Sequence, residues 1–565
     1  MNFYNIWEVQ NMSRSDSSTA KLKPTLGLVG VTINAMALIA PGAFLWTTFA
    51  VQSPSSSAMN MWASIAIATV IALLTASCFA TLAKAYPNAG AGSSYFYSEA
   101  AVINKEEHKH YRFARVLKFL TGWSGILYYW VYPGVMVAFM GTLIQYIGQL
   151  FNPNFAKDAF SLIVICVIFA ALIGAIAFIG VSGSTLVNIL INIIQITSLV
   201  IVGLMFIYYR MGHPGLNYAH KSAASVLLPH DWNGLLFQTT IAILLVVGFE
   251  SATAFAAEAK NPGRDIPKAV ILSLAIQAIL CYFFEYFAAN FFINDGYKGI
   301  LNKAGDLSSF NVIDSKITDF AEAVKSAGVK PADYVGGKIV TGFDAAASSG
   351  APIGDMMKIV GDSIHAGLGF WLVLLLAITV FLALVGTTLS SLSTGARITY
   401  AMAEDRELPT YMATIHNMLS TPYIGIILLT IVSAIIGSYG VQNVNNLTQV
   451  TLISNIGTFI FYGITCFVTL VARLEHLLDS EAESHPIRTI AIPLAGAILN
   501  LLLMLGVFYF GFTQGGNSAV NAQIAIIASV AFFVAGLVYF IGNSLSRGRS
   551  ILVPQNISHP LRDKR

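Results

Sequence analysis

The chain has 565 residues, of which 56% are hydrophobic and only 10% are charged, and its formal net charge is +3. A soluble domain carries about 25% charged residues, so this composition excludes a soluble protein and indicates one that crosses a membrane several times. The small net charge gives no indication of nucleic-acid binding. The polar start of the chain has no signal-peptide core, so the first membrane span is expected to direct insertion.

Twelve segments meet the requirement for a membrane-spanning helix, which is about 20 mostly apolar residues. They are residues 25–50, 60–84, 118–149, 158–181, 184–209, 235–258, 268–292, 366–400, 422–440, 447–472, 488–512 and 521–544. Nearly all are expected to be helices, because lipid offers no hydrogen-bond partner to an open backbone. The chain therefore divides into a tail at 1–24, a membrane domain at 25–545 and a second tail at 546–565.

The lysines and arginines are unevenly distributed between the two sides of this arrangement. If the N-terminus is cytoplasmic, 21 of the 31 fall in cytoplasmic segments, and the short outer loops carry only Lys157, Arg210 and Lys221. This asymmetry predicts that both termini are cytoplasmic. The other seven lie in one long outer loop, 293–365, which is expected to form short helices and turns and to act as a lid or a packing element.

Several kinds of chemistry are not indicated by the sequence. The four cysteines lie in separate apolar runs and are expected to be buried thiols, so neither a disulfide nor a metal site is predicted. No glycine-rich loop ends in Gly-Lys-Ser/Thr, which argues against ATP-driven transport. No cofactor and no enzymatic activity are predicted, and the low cysteine content favours a bacterial cytoplasmic membrane. The sequence leaves the oligomeric state open.

Two spans contain helix-breaking residues near their centres. Span one reads ALIAPGAFLW over residues 37–46 and places Pro41 beside Gly42, whereas span six carries Gly248 and the acidic Glu250. Proline removes a backbone hydrogen bond, glycine lets the chain leave helical geometry, and an intramembrane carboxylate normally faces an interior cavity. Because the interruptions are five spans apart, spans one to five and six to ten are predicted to be inverted copies of each other.

Interrupted helices predict a binding site near the middle of the membrane. Amide groups freed at the start of a half-helix favour a carboxylate, and carbonyl groups freed at the end of one favour an ammonium group. An amino acid carries both groups. For Glu250 two roles are open, since it either contacts a cationic group or a proton, or accepts N–H bonds that hold the unwound backbone.

Several segments resemble motifs of the amino acid–polyamine–organocation (APC) superfamily. The Gly-Phe-Glu signature of the superfamily, with Lys-Asn-Pro and Ile-Pro, resembles residues 248–270, GFESATAFAAEAKNPGRDIPKAV. Its Pro-x-x-Gly-Gly-x-Tyr segment resembles residues 86–100, YPNAGAGSSYFYSEA. GARITYAMAEDRELP (395–409) is similar to the end of span eight, and IAPGAF (39–44) to the span-one motif. The resemblance implies the leucine-transporter fold: an all-α integral membrane protein with twelve helices, a five-plus-five inverted repeat and two C-terminal helices, in which helices one and six are discontinuous.

The resemblance also implies which residues bind substrate and which form gates. The substrate-binding residues would be Ile39, Ala40, Pro41, Gly42 and Ala43 in span one, and Val247, Gly248, Phe249, Glu250 and Ser251 in span six. Many relatives have an aromatic gate one turn before the span-six glycine, where this chain has Leu244. The gate candidates are Leu244, Phe249, Glu258 and Arg397. At the cytoplasmic side, ion pairs among Glu258, Lys260, Arg264 and Arg397 would form an inner gate, or these charges simply orient the spans.

Some sodium-independent relatives carry a lysine in span five whose ammonium group mimics a bound ion. This chain has no lysine or arginine between Ser184 and Tyr209, and the matching residue is Gln195. Gln195 is expected to fill this position by hydrogen bonding. Thr387 and Thr388 of span eight are the alternative, as ligands of a sodium ion, unless they bond only to their own helix.

The sequence therefore predicts a secondary active amino acid transporter that works by alternating access, through proton-coupled symport or exchange. Spans one and six would move against spans three, four, eight and nine. A polyamine or other organic-cation permease is the alternative, and it gains support if Glu250 and Glu285 both face the cavity; Glu285 is expected near the outer end, within reach of water. Tyr128, Tyr129 and Tyr132 either contact substrate or belong to the core. A non-transporting membrane sensor is less favoured because both tails are short.

Overall fold

The computed structural model is almost entirely helical. It describes residues 26–39, 41–53, 56–87, 93–102, 113–179, 185–256, 259–300, 313–327, 337–416, 419, 421–474, 487–513 and 515–552. Within these residues, eleven helical segments are long and apolar enough to cross a membrane. These segments coincide with the second to twelfth predicted spans, so the chain is a multi-pass integral membrane protein.

The helices and strands have the following bounds in chain order. The first half contains α1 (Leu28–Ile39), α2 (Pro41–Gln52), α3 (Met61–Ala85), α4 (Ser93–Ala100), α5 (Ala114–Phe151), α6 (Ala159–Ile179), α7 (Thr185–Gly212), α8 (Ala223–Leu227), α9 (Trp232–Val246), α10 (Ser251–Ala254), α11 (Pro262–Gln277) and α12 (Phe284–Phe292). The outer loop contains β1 (Lys298–Ile300), α13 (Phe320–Ser326), β2 (Ile339–Thr341), α14 (Gly342–Ala347) and α15 (Pro352–Ile364). The last five helices are α16 (Leu368–Glu404), α17 (Tyr423–Gly440), α18 (Val444–Leu474), α19 (Ile492–Thr513) and α20 (Gly516–Ser546).

Short segments of other helix types join some of these elements. Tighter 3₁₀ turns lie at Ser56–Asn60 and Thr410–Ala413, and wider π-helical turns lie at Ala278–Phe283 and Ile487–Ala491. The turn at Ala278–Phe283 joins α11 to α12 inside span seven, and we call it the wide turn. Such turns break the regular hydrogen-bond pattern and are frequent at functional sites.

The interruption predicted in span one falls at residue 40, which the structure does not describe, so the two stretches beside it are given separately as α1 and α2. α1 and α2 have 12 residues each. A 12-residue helix is roughly 18 Å long, against a hydrocarbon thickness of about 30 Å, so each helix is too short to span alone. Proline suits the first position of α2 because the N–H that it lacks has no partner at a helix start.

Span six is interrupted as predicted. α9 ends at Val246, residues 247–250 form a turn, and α10 begins at Ser251. Gly248 within this turn has φ +116°, a conformation that residues with a side chain rarely adopt. The backbone hydrogen bonds of the following residues join residues three positions apart, rather than the four of an α-helix, for example from the Ser251 N–H to the Gly248 carbonyl. The prediction of an interruption in span six is therefore confirmed.

The spans pack in two groups around the interrupted helices. The long helix α5 contacts α6, α16 and α17, which also contact one another. The second group brings α1 and α9 together with α3 and α11, because α11 packs on both α1 and α3 and α9 packs on α3. All four cysteines are buried and free, as predicted.

The outer loop holds more regular structure than the sequence predicts. β1 and β2 form an antiparallel pair in which Lys298 lies opposite Thr341, and this small sheet was not foreseen. α15 packs on α16 and α2 through a buried face that includes Ile353, Met356 and Val360. The loop is therefore anchored directly on the second half of span one.

Candidate functional site

The turn of span six contacts the end of α1 inside the helix bundle. A Cβ atom placed on Gly248 would lie 3.0 Å from Leu38 Cγ and 3.2 Å from the Ile39 nitrogen. The positive φ of Gly248 also disfavours any side chain. Both the backbone conformation and the available space therefore require glycine here, and the turn of span six rests on the end of α1.

Four side chains donate hydrogen bonds to the carbonyl groups of residues 36–39, the last four residues of α1 before the undescribed residue 40. The bonds run from Gln277 Nε2 to Met36 O (2.7 Å), from Thr387 Oγ1 to Ala37 O (2.9 Å), from Tyr132 OH to Leu38 O (3.0 Å) and from Tyr282 OH to Ile39 O (2.9 Å). The donors belong to spans three, seven and eight. We call the carbonyl groups of residues 36–39 the carbonyl end of α1. Each of these four carbonyl groups accepts a hydrogen bond from a neighbouring span.

Glu250 fixes the turn of span six. Its side chain is 1% exposed and accepts three hydrogen bonds. Oε1 accepts from Tyr129 OH at 2.6 Å, and Oε2 accepts from Tyr462 OH at 2.5 Å and from the Gly248 N–H at 3.0 Å. Of the two roles left open by the sequence, Glu250 has the structural one in this conformation, because it ties the unwound backbone to spans three and ten. Three donors also offset the cost of burying the carboxyl group.

The other predicted binding residues lie around this contact. Ile39, Val247, Phe249 and Ser251 are all buried. Ala40 lies outside the described residues, and Pro41, Gly42 and Ala43 form the first turn of α2. The ring of Phe249 packs on Phe79 and Tyr462, with centroid distances of 6.1 and 5.3 Å. Leu244, where many relatives have an aromatic gate, is fully buried in α9.

The three tyrosines of span three have different roles although they are close in sequence. Tyr129 donates to Glu250 and Tyr132 donates to the carbonyl end. The ring of Tyr128 lies at an angle against both rings, with centroid distances of 4.3 and 5.4 Å, but its buried hydroxyl has no hydrogen-bond partner within the described residues. Span three therefore holds both interrupted segments, and Tyr128 offers a hydroxyl group for a further contact.

The candidate ion-site residues are all buried, and one of them contacts span one. Thr387 Oγ1 lies 2.9 Å from the carbonyl oxygens of both Ala37 and Ala383, whereas Thr388 Oγ1 bonds only to Leu384 O of its own helix, at 2.7 Å. Gln195 of α7 is 4% exposed, and its Oε1 has no partner in the described part of the chain. Thr387 thus links span eight to the carbonyl end, and Thr388 does not.

The pair Thr387 and Thr388 gives a matched test of the carbonyl end. We expect Thr387→Val to lower the initial rate of transport about fivefold, since losing a hydrogen bond to a buried carbonyl costs about 1 kcal/mol. Thr388→Val removes only a bond within α16 and is expected to change the rate less than twofold (about 0.4 kcal/mol). Uptake into proteoliposomes compares the two, and equal losses would contradict the role given to Thr387.

Ion pairs join several segments at the end of the bundle that carries residues 26 and 552. Lys118 of α5 pairs with Glu99 of α4 and lies 2.8 Å from Asp405 Oδ2, just after α16. Arg115 lies 2.8 Å from Glu407 Oε1. Except for Asp405, which is one-third exposed, these side chains are buried, and the sequence analysis did not single out these pairs.

Arg397, one of the predicted inner-gate residues, contacts the second half of span six. The guanidinium carbon of Arg397 lies 5.1 Å from the ring centroid of Phe255, directly after α10, so span eight touches the second half of span six there. Glu258 lies outside the described residues. A gate formed by Glu258 and Arg397 therefore remains a prediction.

At the other end of the bundle, a buried carboxyl group connects the outer loop to the membrane helices. Asp355 of α15 is 1% exposed, and its two oxygens accept hydrogen bonds from Tyr146 OH and Tyr297 OH, both at 2.9 Å. Burial raises the pKa of Asp355 from its ordinary value near 3.8 to about 6, although hydrogen bonds oppose the change. The proton of this carboxyl group is therefore bound more tightly in the folded protein than in the unfolded chain.

This difference predicts a pH-dependent stability. Below about pH 4 the Asp355 carboxyl group is protonated in both the folded protein and the unfolded chain, and its contribution to the free energy of unfolding is complete. As the pH rises to about 6, the carboxyl group of the unfolded chain ionises first, and the free energy of unfolding falls by about 3 kcal/mol. Asp355→Asn is neutral throughout, so its melting temperature relative to wild type should rise between pH 4.5 and 7.5. Measuring both melting curves at the two pH values tests this, and an unchanged difference would be inconsistent with it.

Sequence reasoning missed three side chains that hold the site. Gln277 and Tyr282 donate to the carbonyl end, and Tyr462 donates to Glu250. Each is a polar or amphipathic residue inside a predicted span, which is a weak signal because such residues also join helices that have no site. Tyr282 stands three residues before the acidic Glu285, and this spacing was the best sequence signal for a functional role of Tyr282.

Comparison with known proteins places the chain in a family. A family model described as amino acid permease matches residues 25–325 and 337–540. The methylthioribose transporter of Bacillus subtilis (strain 168) is 22% identical over 474 residues, which are 82% of this chain and 84% of that protein. The branched-chain amino acid permease BcaP of the same strain is 21% identical over 486 residues, with the same shares. The low-affinity putrescine importer PlaP of Escherichia coli (strain K12) is 22% identical over 283 residues, or 49% of this chain and 56% of that protein.

These matches agree with the APC-superfamily motifs and with the eleven membrane-spanning helices. The relatives are transporters of small molecules and not enzymes. Because the family match extends over most of its length, the chain belongs to the amino acid permease family.

Proposed function

We propose that the protein is a secondary transporter that carries an amino acid across a bacterial cytoplasmic membrane by alternating access. In this proposal α1 and α2 together form a twelfth crossing, the first ten spans form two inverted repeats of five, and both termini are cytoplasmic. The observation that carries the proposal is the contact of Gly248 with Leu38 and Ile39, because it places the turn of span six directly beside the interruption predicted in span one.

The charge distribution at this point suits a zwitterion. The carbonyl end of α1 carries partial negative charge and favours an ammonium group, and the first N–H groups of α2 favour a carboxylate. A solute amine would replace the tyrosine hydroxyls that now bond to Leu38 and Ile39. The carboxylate would bind residues 41–43, which begin α2. The predicted binding residues thus supply one pole for each end of an amino acid.

The packing suits movement of one group of spans against the other. α5, α6, α16 and α17 form the scaffold, and the helices of spans one and six move with α3 and α11. The bonds from Tyr132 and Thr387 to α1 cross between the two groups and would break and re-form as the site opens. A proton gradient or exchange with a second solute would drive this cycle.

A polyamine or other organic-cation permease is the second candidate, and the putrescine importer among the relatives favours it. The geometry around Glu250 argues against it, because a permease for a dication needs an available anion. All three bonds of the Glu250 carboxyl group are already made within the protein. The amino acid is therefore the better supported substrate.

An uptake panel in proteoliposomes tests the proposal. The labelled solutes would be leucine, lysine, putrescine and methylthioribose, each measured with and without an inward proton gradient. We expect a neutral amino acid to be accumulated fastest and excess unlabelled amino acid to compete with it. Accumulation of putrescine alone would support the second candidate, and failure to move any amine-bearing solute would overturn the proposed function.

A further inference from the structure

Glu285 is a buried acidic residue that takes no part in the site described above. It lies in the first turn of α12, in span seven, and is 0% exposed. Neither of its carboxyl oxygens has a hydrogen-bond partner among the residues that the structure describes. The sequence predicts that Glu285 reaches water, and this prediction is wrong because the side chain is fully buried. An ionised carboxylate without donors is very unfavourable in such surroundings, so the neutral acid is the form that fits this conformation.

The Glu285 carboxyl group faces span five. A Cβ atom on Gly203 of α7 would lie 2.9 Å from Glu285 Oε2 and 2.6 Å from a ring carbon of Phe284. The absence of a side chain at Gly203 therefore creates the space that the carboxyl group occupies. Because α7 carries no lysine or arginine between residues 184 and 209, no cation of that segment pairs with Glu285.

The other titratable groups around Glu285 do not neutralise it. On the helices packed against α12 they are Tyr208, Tyr209 and Arg210 of α7, Cys78 and Lys84 of α3, and Asp355, Lys358 and Asp362 of α15. On its own span they are Cys281, Tyr282 and Tyr286, and also Arg264, Asp265 and Lys268, which lie at the start of α11, roughly five helical turns or more before Glu285. Arg210 donates to the carbonyl groups of Phe291 and His220, at 2.7 and 2.8 Å. Asp355 is bonded to two tyrosines. The partner that Glu285 lacks is therefore a proton.

The wide turn links Glu285 to the substrate site. Tyr282, in this turn, donates to the carbonyl end of α1 at Ile39. Tyr282 and Glu285 are three positions apart in the chain, which is about one helical turn. Trp62 Nε1 donates to the Phe283 carbonyl at 2.8 Å and braces the turn from α3. A movement of α12 away from α7 would thus also move the tyrosine that holds α1.

We propose that the Glu285 carboxyl group binds the proton that couples transport to a pH gradient. The inference rests on the proposed function, since coupling requires transport. When α7 and α12 separate, water reaches the carboxyl group, its O–H bond breaks and the proton passes to water on that side, leaving a carboxylate. On the side with more protons the O–H bond re-forms, and the neutral group returns to its place beside Gly203.

The test uses the full-length protein in proteoliposomes and the variant Glu285→Gln, which keeps the shape of the protonated group. Counterflow of labelled against unlabelled solute at equal pH should stay within about twofold of wild type, because it needs no net proton movement. A proton gradient should raise wild-type accumulation by about tenfold for each pH unit and leave the variant unchanged. A pH-sensitive dye inside the vesicles should report solute-dependent acidification only for wild type.

A matched control and a second readout keep the outcomes separate. Glu322→Gln removes an exposed acid in α13 and should respond to the gradient as wild type does. Retained stimulation in Glu285→Gln would overturn the inference. If Glu285→Gln also loses counterflow, infrared spectra of the two proteins at neutral pH decide the question. We expect wild type to show the band of a protonated carboxyl group and the variant to lack it. Identical spectra would overturn the inference. Wild type that moves no solute refutes the proposed function instead.

Discussion

Replacing Glu250 with alanine is expected to abolish transport and to destabilise the folded protein strongly. The substitution leaves the hydroxyl groups of Tyr129 and Tyr462 and the Gly248 N–H without their common acceptor. Each unsatisfied buried polar group costs about 1–3 kcal/mol, so the three together cost roughly 3–9 kcal/mol. This is comparable with the whole stability of many domains. Initial uptake rates and the apparent melting temperature in detergent would measure both effects.

A graded set of variants shows whether this cost comes from the acceptor. Glu250→Gln keeps one oxygen and should lose less stability than Glu250→Ala. Tyr462→Phe removes one donor while Glu250 keeps the other two, so its loss should be the smallest, at about 1 kcal/mol. The exposed Glu322→Ala serves as a control without effect. An alanine variant as stable as Tyr462→Phe would contradict the holding role of Glu250.

Replacing Gly248 with alanine is expected to lower the transport rate by at least about 100-fold, or roughly 2.7 kcal/mol. A residue with a side chain at φ +116° is strained by about 1–3 kcal/mol. Its Cβ would also press on Leu38 and on the backbone of Ile39, at 3.0 and 3.2 Å. The end of α1 must then move away from the turn of span six, which disrupts the site itself. Initial uptake rates, normalised to the amount of inserted protein, give the result.

Gly386→Ala provides the matched control for this substitution. Gly386 lies inside α16, and a Cβ placed on it would meet no atom within 4 Å. We expect this variant to transport at close to the wild-type rate. Losses of similar size in both glycine variants would show that any added methyl group in the membrane domain is harmful, and the special position of Gly248 would be refuted.

The membrane spans and the interruption of span six could be predicted because their signals are local. An apolar run of 20 residues needs no knowledge of its neighbours, since lipid imposes the helix. Gly248 and Glu250 inside such a run violate both helix propensity and hydrophobicity, which is why they stood out. The break predicted in span one lies at residue 40, outside the described residues, and stays a prediction.

The partners of the interrupted segments could not be predicted, because they come from distant parts of the chain. Gln277 lies 241 residues from the Met36 carbonyl to which it donates, and Tyr462 lies 212 residues from Glu250. One sequence contains no information on which faces of two such spans meet. In sequence, Gln277 cannot be distinguished from other polar residues inside spans that only join two helices. Its role is recognised only when the packing is known.

The two intramembrane acids show the same limit. In sequence Glu250 and Glu285 are both carboxyl groups in apolar helices, and both were candidates to face a cavity. In the structure Glu250 has three donors, whereas Glu285 has none in the described part of the chain and faces Gly203. The difference arises because three donors surround Glu250, whereas Glu285 lies beside a glycine, Gly203, that has no side chain. It favours the structural one of the two roles left open for Glu250, and it leaves Glu285 as the acid that we propose binds the proton.

The most direct measurement is a cryo-electron microscopy map of the protein in nanodiscs with the best transported amino acid bound. We predict density for the solute between the end of α1 and the start of α2, with its amino group within hydrogen-bond distance of the carbonyl oxygens of Leu38 or Ile39. Gly248 should remain beside them in its left-handed conformation. A continuous helix through residues 246–251, or solute bound away from the carbonyl end, would contradict this account.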